Sequence, residues 1–353
     1  MYASDNNYAW LMGVSMVSLF ENNRESKEIN VYLFGDKISS GNVDMLNRAA
    51  EQYGRKLEII DVNKLTLPEK LYSGRYPKSA FSRLFAYDLL PKEIGRVLYL
   101  DCDIIVDSGI EDLYNHAMDG KIIWAVKDCV SKAYKQKIGI KGEDVYINTG
   151  VMLMNLEKMR KFPMAERITA FVDRFAGVMD YADQEIVNGI FQGEFGILPP
   201  QWNVMTQFNQ YSYEQLRWIR HPHRYYSADA IEYAKRHARI FHYTTCMLNI
   251  RPWFGNSRLN NAHVFNRYLR MSPWYGVDKK EMNFSDKKYK TMKLLGYLPE
   301  PVTNFSLGMI HAYLRPYYTM LKIKLIHLLG GGKNELAVIR LCPPQTVERR
   351  WAA

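Results

Sequence analysis

Cysteine is scarce in this chain of 353 residues: there are four, Cys102, Cys129, Cys246 and Cys342, with no CxxC pair and no finger-like spacing. A chain of this length does not need disulfides to fold, so the pattern speaks against a stapled secreted scaffold or a zinc ribbon and for a reducing cytoplasm. Long apolar runs are missing too: nowhere do about 18 uncharged apolar residues follow one another, the length a membrane span asks for. The apolar run Trp10 to Phe20 has Asp5 rather than a basic segment before it, and "FENNRESK" after it offers no small-residue cleavage site. It reads as an amphipathic helix and not as a signal peptide. Also absent are internal repeats and a glycine-rich phosphate loop of either the P-loop or the GxGxxG kind.

What is present is ample core material. A hydrophobic content of 47% supports one large domain, or a domain with an appendage, and excludes a disordered chain. The formal net charge is +10, but from His311 onward Lys and Arg number 7 against 2 Asp and Glu, so half the excess lies in the last 43 residues. A nucleic-acid-binding protein would carry a basic, aromatic groove in its folded core. Here the basic character belongs largely to a tail, and no nucleic-acid partner is expected.

The first half alternates β-branched runs with helical patterns. "INVYLFG", "KLEIIDV", "RVLYLDCDIIV" and "KIIWAVKD" read as strands, with "SGNVDMLNRAAEQYG" and "SAFSRLFAYDLLP" as helices between them. That order predicts an α/β fold with an open, mostly parallel sheet. The opening "MYASDNNYA" leaves only about four residues for a first strand, so the sequence reads as starting slightly late. "YINTGVMLMNL" predicts a further strand, the stretch from Glu157 to Phe175 a helix, and "IFHYTTCMLNIRPW" a strand followed by a loop.

The chemistry concentrates in Asp101 and Asp103. Carboxylates at i and i+2 on a strand share a face, and at its carboxyl end they can converge on one ion, where open α/β sheets bind their ligands. Oxygen donors suit a hard divalent cation, and an added histidine tilts the choice from Mg²⁺ towards Mn²⁺. Alone, the pair reads equally well as a turn cap. A metal-dependent hydrolase or nucleotidyltransferase could use the same two acids, although no third clustered acid accompanies them.

Taken in order, "YASDNNYA", "RLFAYDLLP", "RVLYLDCDIIV", "YINTGVMLMNL", "DQEIVNGIF", "LPPQWNVM" and "HYT…RPW" resemble glycosyltransferase family 8, retaining nucleotide-sugar transferases, over roughly residues 1 to 255. The likeness is closer to the bacterial lipooligosaccharide galactosyl- and glucosyltransferases than to glycogenin. It implies a GT-A fold, a Rossmann-like sheet flanked by helices, with Mn²⁺ held by Asp101, Asp103 and His242. It further implies a UDP-sugar site built from Ala3, Asp5, Asn7, Arg83, Asp101, Cys102, Asn148, Thr149, His242 and Arg251. Gln184 would sit beside the anomeric carbon and Asp183 would accept sugar hydroxyls. Retention would proceed by same-face attack, or by double displacement with Asp128 or Asp183 as the nucleophile; a neutral amide such as Gln184 is a poor one. The family's usual Lys-Pro-Trp stands here as Arg251-Pro252-Trp253, a bidentate fork in place of a point charge. Glucose and galactose both stay open as the donor sugar.

The segment "VKDCVSKAYKQKIGIKGEDVY" is expected to be the variable loop that meets a saccharide acceptor. The chain divides into a catalytic unit, 1–271, and a basic, aromatic helical region, 272–353. Its stretch "GMIHAYLRPYYTMLKIKLIHLLGGGK" suits a helix lying in the headgroup region, with Arg315, Lys322, Lys324 and Lys333 towards anionic lipid. A lipid-linked acceptor at the inner face of a bacterial cytoplasmic membrane would make such attachment useful.

Overall fold

The computed structural model describes residues 1–68, 71, 77–175, 178–247, 249–282, 294 and 297–329. Strands β1 (Tyr2–Asp5), β2 (Asn30–Asp36), β3 (Lys56–Asp61), β4 (Arg96–Leu100), β5 (Ile104–Val106), β6 (Ile123–Lys127), β7 (Ile147–Asn155), β8 (Phe195–Ile197), β9 (Val204–Met205) and β10 (Ile240–His242) alternate with helices. β1, β2 and β3 are parallel, with Tyr2 opposite Leu33 and Val31 opposite Leu57. In the second block, ordered β4-β7-β6-β8, β7 runs antiparallel to β4 and β6, while β6 and β8 are parallel. Met1 joins the two blocks: its amine donates to the Leu98 carbonyl at 2.8 Å, and the Leu100 amide donates to the Met1 carbonyl at 3.0 Å.

Both faces of this surface are covered, which is why its strands read as unbroken apolar runs. Along β4 the pleat sends Leu98 and Leu100 into one core and Val97 and Tyr99 into the other. β7 divides in the same way, Val151 and Leu153 against Met152 and Met154. The helix Ala9–Glu21 lies within the first core, and here the sequence reading needs correction. It is a helix, but it is not amphipathic: every residue from Leu11 to Phe20 is buried. Its serines are satisfied inside, Ser18 accepting the Val106 amide at 2.9 Å and Ser15 sharing a 3.2 Å hydrogen bond with the Tyr2 hydroxyl. Gly13 is required by close approach, since a Cβ there would fall 2.1 Å from the buried Trp274 ring.

Three further expectations change. "RVLYLDCDIIV" is two strands in different sheets, because Ile104–Val106 leaves the main surface to pair antiparallel with β10. Asp101 to Asp103 make the crossover between them. The helix expected over 157–175 is broken at Phe162–Pro163 into Leu156–Lys161 and Met164–Phe175, where proline cannot continue the backbone ladder. The presumed acceptor loop contains the helix Lys132–Lys137, with the Lys135 and Lys137 side chains buried. Lys135 donates to the Gly142, Asp144 and His223 carbonyls, at 3.3, 2.7 and 3.2 Å.

The C-terminal part of the described chain consists of the helix Glu300–Met309, a π-helical turn Ile310–Leu314 and the helix Arg315–Leu329. The turn is anchored, Ala312 being buried and its carbonyl accepting from Ser131 Oγ at 2.7 Å. Arg315 pairs with Asp180. Lys324 lies in this helix, and Lys333 falls outside the described residues.

Candidate active site

The strand directions bring the polar residues to one edge. The carboxyl ends of β1 and β4 and the amino end of the antiparallel β7 fall at this edge, which carries Asp5, Asp101 and the β7 residues Asn148, Thr149 and Gly150. β6 delivers Asp128 just beyond its end, and the helix Ala182–Ile190 presents Asp183 and Gln184 from its first turn.

Asp101, Asp103 and His242 each offer one ligand atom, and these atoms lie within 4.8 Å of one another. His242 Nε2 is 3.2 Å from Asp103 Oδ1 and 3.6 Å from Asp101 Oδ2. The imidazole is buried and needs the space that Gly150 leaves. Burial opposes charge on His242, but Asp103 and Asp101 outweigh it and hold the imidazole above its ordinary pKa. Burial likewise pushes against ionisation of Asp103, yet His242 and Arg251 pull its carboxyl below the usual range. The three side chains therefore face a shared point. Two carboxylates and an imidazole fit a divalent cation such as Mn²⁺, with Mg²⁺ less suited by the nitrogen donor.

Arg83 is the second organising residue, carried on a 3₁₀ turn (Arg83–Phe85) inserted in what the sequence predicts as one helix. Its guanidinium stacks 4.3 Å over the Tyr99 ring. Its Nη1 lies 2.8 Å from Asp101 and its Nε 3.1 Å from Asp183. Desolvation works against the charge, and the two carboxylates hold it in place. Asp183 itself is pushed up to about 6 by burial, with Arg83 opposing the push and Asp101 adding to it.

Around Gln184 the amides interlock. Its Oε1 accepts from Asn148 Nδ2 and from the Thr149 amide, both at 3.2 Å, and its Nε2 donates to Asp128 Oδ2 at 2.9 Å. Asp128 also accepts from Asn148 Nδ2 at 3.2 Å and from the Cys129 amide at 2.7 Å. On the opposite flank Arg251 donates to the Tyr8 hydroxyl at 3.2 Å and lies 3.6 Å from Asp103. Asp5 caps the first loop, accepting the Asn7 and Tyr8 amides at 3.0 Å each, and the Asn7 side chain is exposed. Cys102 is buried and donates its thiol to the Ala3 carbonyl at 3.3 Å. The fold thus gathers the sequence-predicted residues along one edge, with Asp5 and Asn7 at its outer end.

Residues 1–257 match the family described as Glycosyl transferase family 8. The chain belongs to glycosyltransferase family 8. Among curated relatives of this glycosyltransferase, general stress protein A of Bacillus subtilis (strain 168) is 23% identical, across 79% of this chain and 96% of its own. Lipopolysaccharide 1,2-glucosyltransferase of Escherichia coli (strain K12) is 24% identical, across 82% and 83%. Among solved structures, the galactosyltransferase LgtC with donor and acceptor sugar analogues superposes with a TM-score of 0.60 at 20% identity, across 82% of this chain and 98% of that one. An LgtC active-site mutant gives 0.64 at 22%, with the same coverage. The architecture described above is the GT-A fold.

The sequence reading leaves the buried Asn203 of the site unassigned. Asn203, wholly buried, lies between Asn148 and His242 and bonds to both. It sits inside the quoted stretch "LPPQWNVM", where an amide among apolar residues is the only local signal, and no periodicity marks it.

Proposed function

We propose that this glycosyltransferase is a retaining hexosyltransferase that moves glucose or galactose from UDP-sugar to a cell-surface saccharide such as lipopolysaccharide, with Mn²⁺ as cofactor. The observation that carries the reading is the convergence of Asp101, Asp103 and His242 within 4.8 Å, on the sheet edge that also holds Gln184 and Asp128. A divalent cation held by these three residues would neutralise charge on the departing diphosphate. We assign Arg83 and Arg251 to the phosphates, Ala3, Asp5, Asn7 and Cys102 to the nucleoside, and Asn148, Thr149, Asp183 and Gln184 to the sugar. Arg251 is already anchored through Tyr8 and through Thr245 Oγ1 at 2.7 Å, so its fork is oriented before the donor arrives.

The reading includes same-face attack. Both candidate carboxylate nucleophiles are engaged, Asp128 by three donors and Asp183 by Arg83, and neither needs a further role beyond holding the sugar and its amides. The acceptor's proton then passes to the leaving phosphate oxygen, and the acceptor oxygen forms its bond on the face that the phosphate leaves.

We assign residues 1–271 to catalysis and 272–353 to attachment at the inner face of a bacterial cytoplasmic membrane. No helix among the described residues is long and apolar enough to cross a membrane. Leu314, Tyr317, Tyr318, Leu321 and Leu325 are nonetheless all exposed, at positions that share one helical face. Such a face suits the headgroup region, reinforced by basic residues at about 1 kcal/mol each. A lipid-linked saccharide would meet the enzyme there. The test of the core reading is a panel of UDP-sugars assayed for Mn²⁺-dependent hydrolysis, which needs no acceptor. Turnover of UDP-glucose or UDP-galactose that chelator abolishes is the expected result, and chelator-insensitive turnover would reject it.

A further inference from the structure

A chain of side-chain amides runs from the reacting end of the site to the imidazole. Asp128 Oδ2 can only accept, so the Asn148 nitrogen that lies 3.2 Å away must be Nδ2. That fixes the other end of the Asn148 amide as the oxygen, which accepts the Gly150 amide at 3.0 Å and Asn203 Nδ2 at 2.8 Å. Asn203 then has its own oxygen turned to His242 Nδ1, at 3.0 Å. An amide oxygen there admits only a protonated Nδ1. The neutral imidazole is left with its lone pair on Nε2, the atom facing Asp101 and Asp103. Asn203 and Asn148 are buried, at 0% and 6% exposure, so water cannot easily substitute for either partner.

We propose that Asn148 and Asn203 form a polarity relay through which the carboxylate of Asp128 dictates the tautomer of His242, with Asn203 as the positioning residue. The proposal deepens the functional reading above and rests on it for the identity of the ion. Asn203 is neither one of the three residues that converge on the shared point nor one assigned to the sugar. It orients one ligand and ties it to the amides that hold Gln184, so the metal half and the sugar half of the site are set by one network. If the Asn203 amide were reversed, its Nδ2 would face Nδ1 and its oxygen would face the Asn148 oxygen, which is an acceptor against an acceptor.

The test uses the full chain labelled with ¹⁵N-histidine, in alkaline buffer and without metal, with His242→Gln to assign the signal. Nitrogen shifts distinguish a protonated Nδ1 from a protonated Nε2, and a residue that merely fills space would not move them. In the wild type the proton is expected on Nδ1. Asn203→Leu, similar in size but without donor or acceptor, should release that preference and weaken Mn²⁺ binding, followed by electron paramagnetic resonance, by about 10- to 100-fold. Asn203→Asp keeps the acceptor for His242 and loses the donor to Asn148. It should retain the tautomer and Mn²⁺ affinity within about threefold while UDP-sugar hydrolysis falls at least about tenfold. A wild-type proton on Nε2, or a folded Asn203→Leu protein with unchanged tautomer and Mn²⁺ affinity, overturns the relay. If Asn203→Leu does not fold, loss of the tautomer in Asn203→Asp overturns it equally. Should Asp103→Asn leave Mn²⁺ binding untouched, the metal-site reading fails, while the nitrogen shifts still decide the relay.

Discussion

Gly150 and His242 approach so closely that a Cβ on the glycine would lie 2.1 Å from Cε1 of the imidazole and 3.0 Å from Asp101 Oδ2. The strand that carries Asn148 and Thr149, the residues assigned to the sugar in the proposal, therefore also forms the wall against which the histidine rests. Gly150→Ala should displace the ring, cost about 1–3 kcal/mol of stability through overpacking, and weaken Mn²⁺ binding by about tenfold or more. Urea unfolding and an electron paramagnetic resonance titration measure the two effects. Unchanged Mn²⁺ affinity would mean that the imidazole is not a ligand.

Removing a ligand outright should be harsher. Asp103→Asn and His242→Ala are each expected to lower UDP-sugar hydrolysis by about 100-fold or more, the scale on which roughly 3 kcal/mol of charge stabilisation is lost. Initial rates at saturating Mn²⁺ give the comparison, and rates within about twofold of wild type would put the metal site elsewhere.

The pH dependence follows from Asp183, whose carboxyl burial pushes up to about 6. Raising the pH through that value removes its proton and creates the acceptor that sugar hydroxyls need. The kcat/KM for the donor should therefore climb along an acid limb centred near 6. In Asp183→Asn that limb should vanish from the pH–rate profile; its persistence would assign the titration to another group.

Gln184→Ala should leave UDP affinity within about twofold while depressing transfer by at least about tenfold, because the side chain bonds to Asp128, Asn148 and Thr149 and not to the assigned phosphate residues. Calorimetry with UDP alongside transfer kinetics separates the two. A parallel fall in both would relocate the residue to the nucleotide.

The exposed face that runs from the π-helical turn into the helix Arg315–Leu329 gives a prediction free of catalysis. Leu314, Tyr318 and Leu321 are 60%, 69% and 56% exposed. Replacing all three with serine should abolish sedimentation with anionic vesicles and leave UDP-sugar hydrolysis unchanged. Raising the salt concentration on the wild type should reduce sedimentation only in part, since screening touches the basic residues and not the apolar ones. Vesicle binding that survives the triple substitution would turn the face over to another partner.

Much of this enzyme was legible in its sequence. Continuous apolar runs ending in Asp101, a helix at Ala9–Glu21, and the ordered motifs from "YASDNNYA" to "RPW" located the fold and the residues that gather at one sheet edge. Such features are local or sequential, and a sheet buried on both faces writes them directly into the chain. The crossover of Asp101–Asp103 between two sheets left no such mark, because a single buried strand and two strands split by a turn share the same apolar pattern. Nor did the burial of Lys135 and Lys137, which depends in part on the His223 carbonyl and the Glu185 carboxylate, far along the chain. Asn203 is the clearest case. Its role comes from lying between Asn148 and His242, and only folding brings those two within reach of one amide. Residue types and their order chose the chemistry. The direction of each hydrogen bond, and with it the state of the histidine, was decided by three-dimensional neighbours.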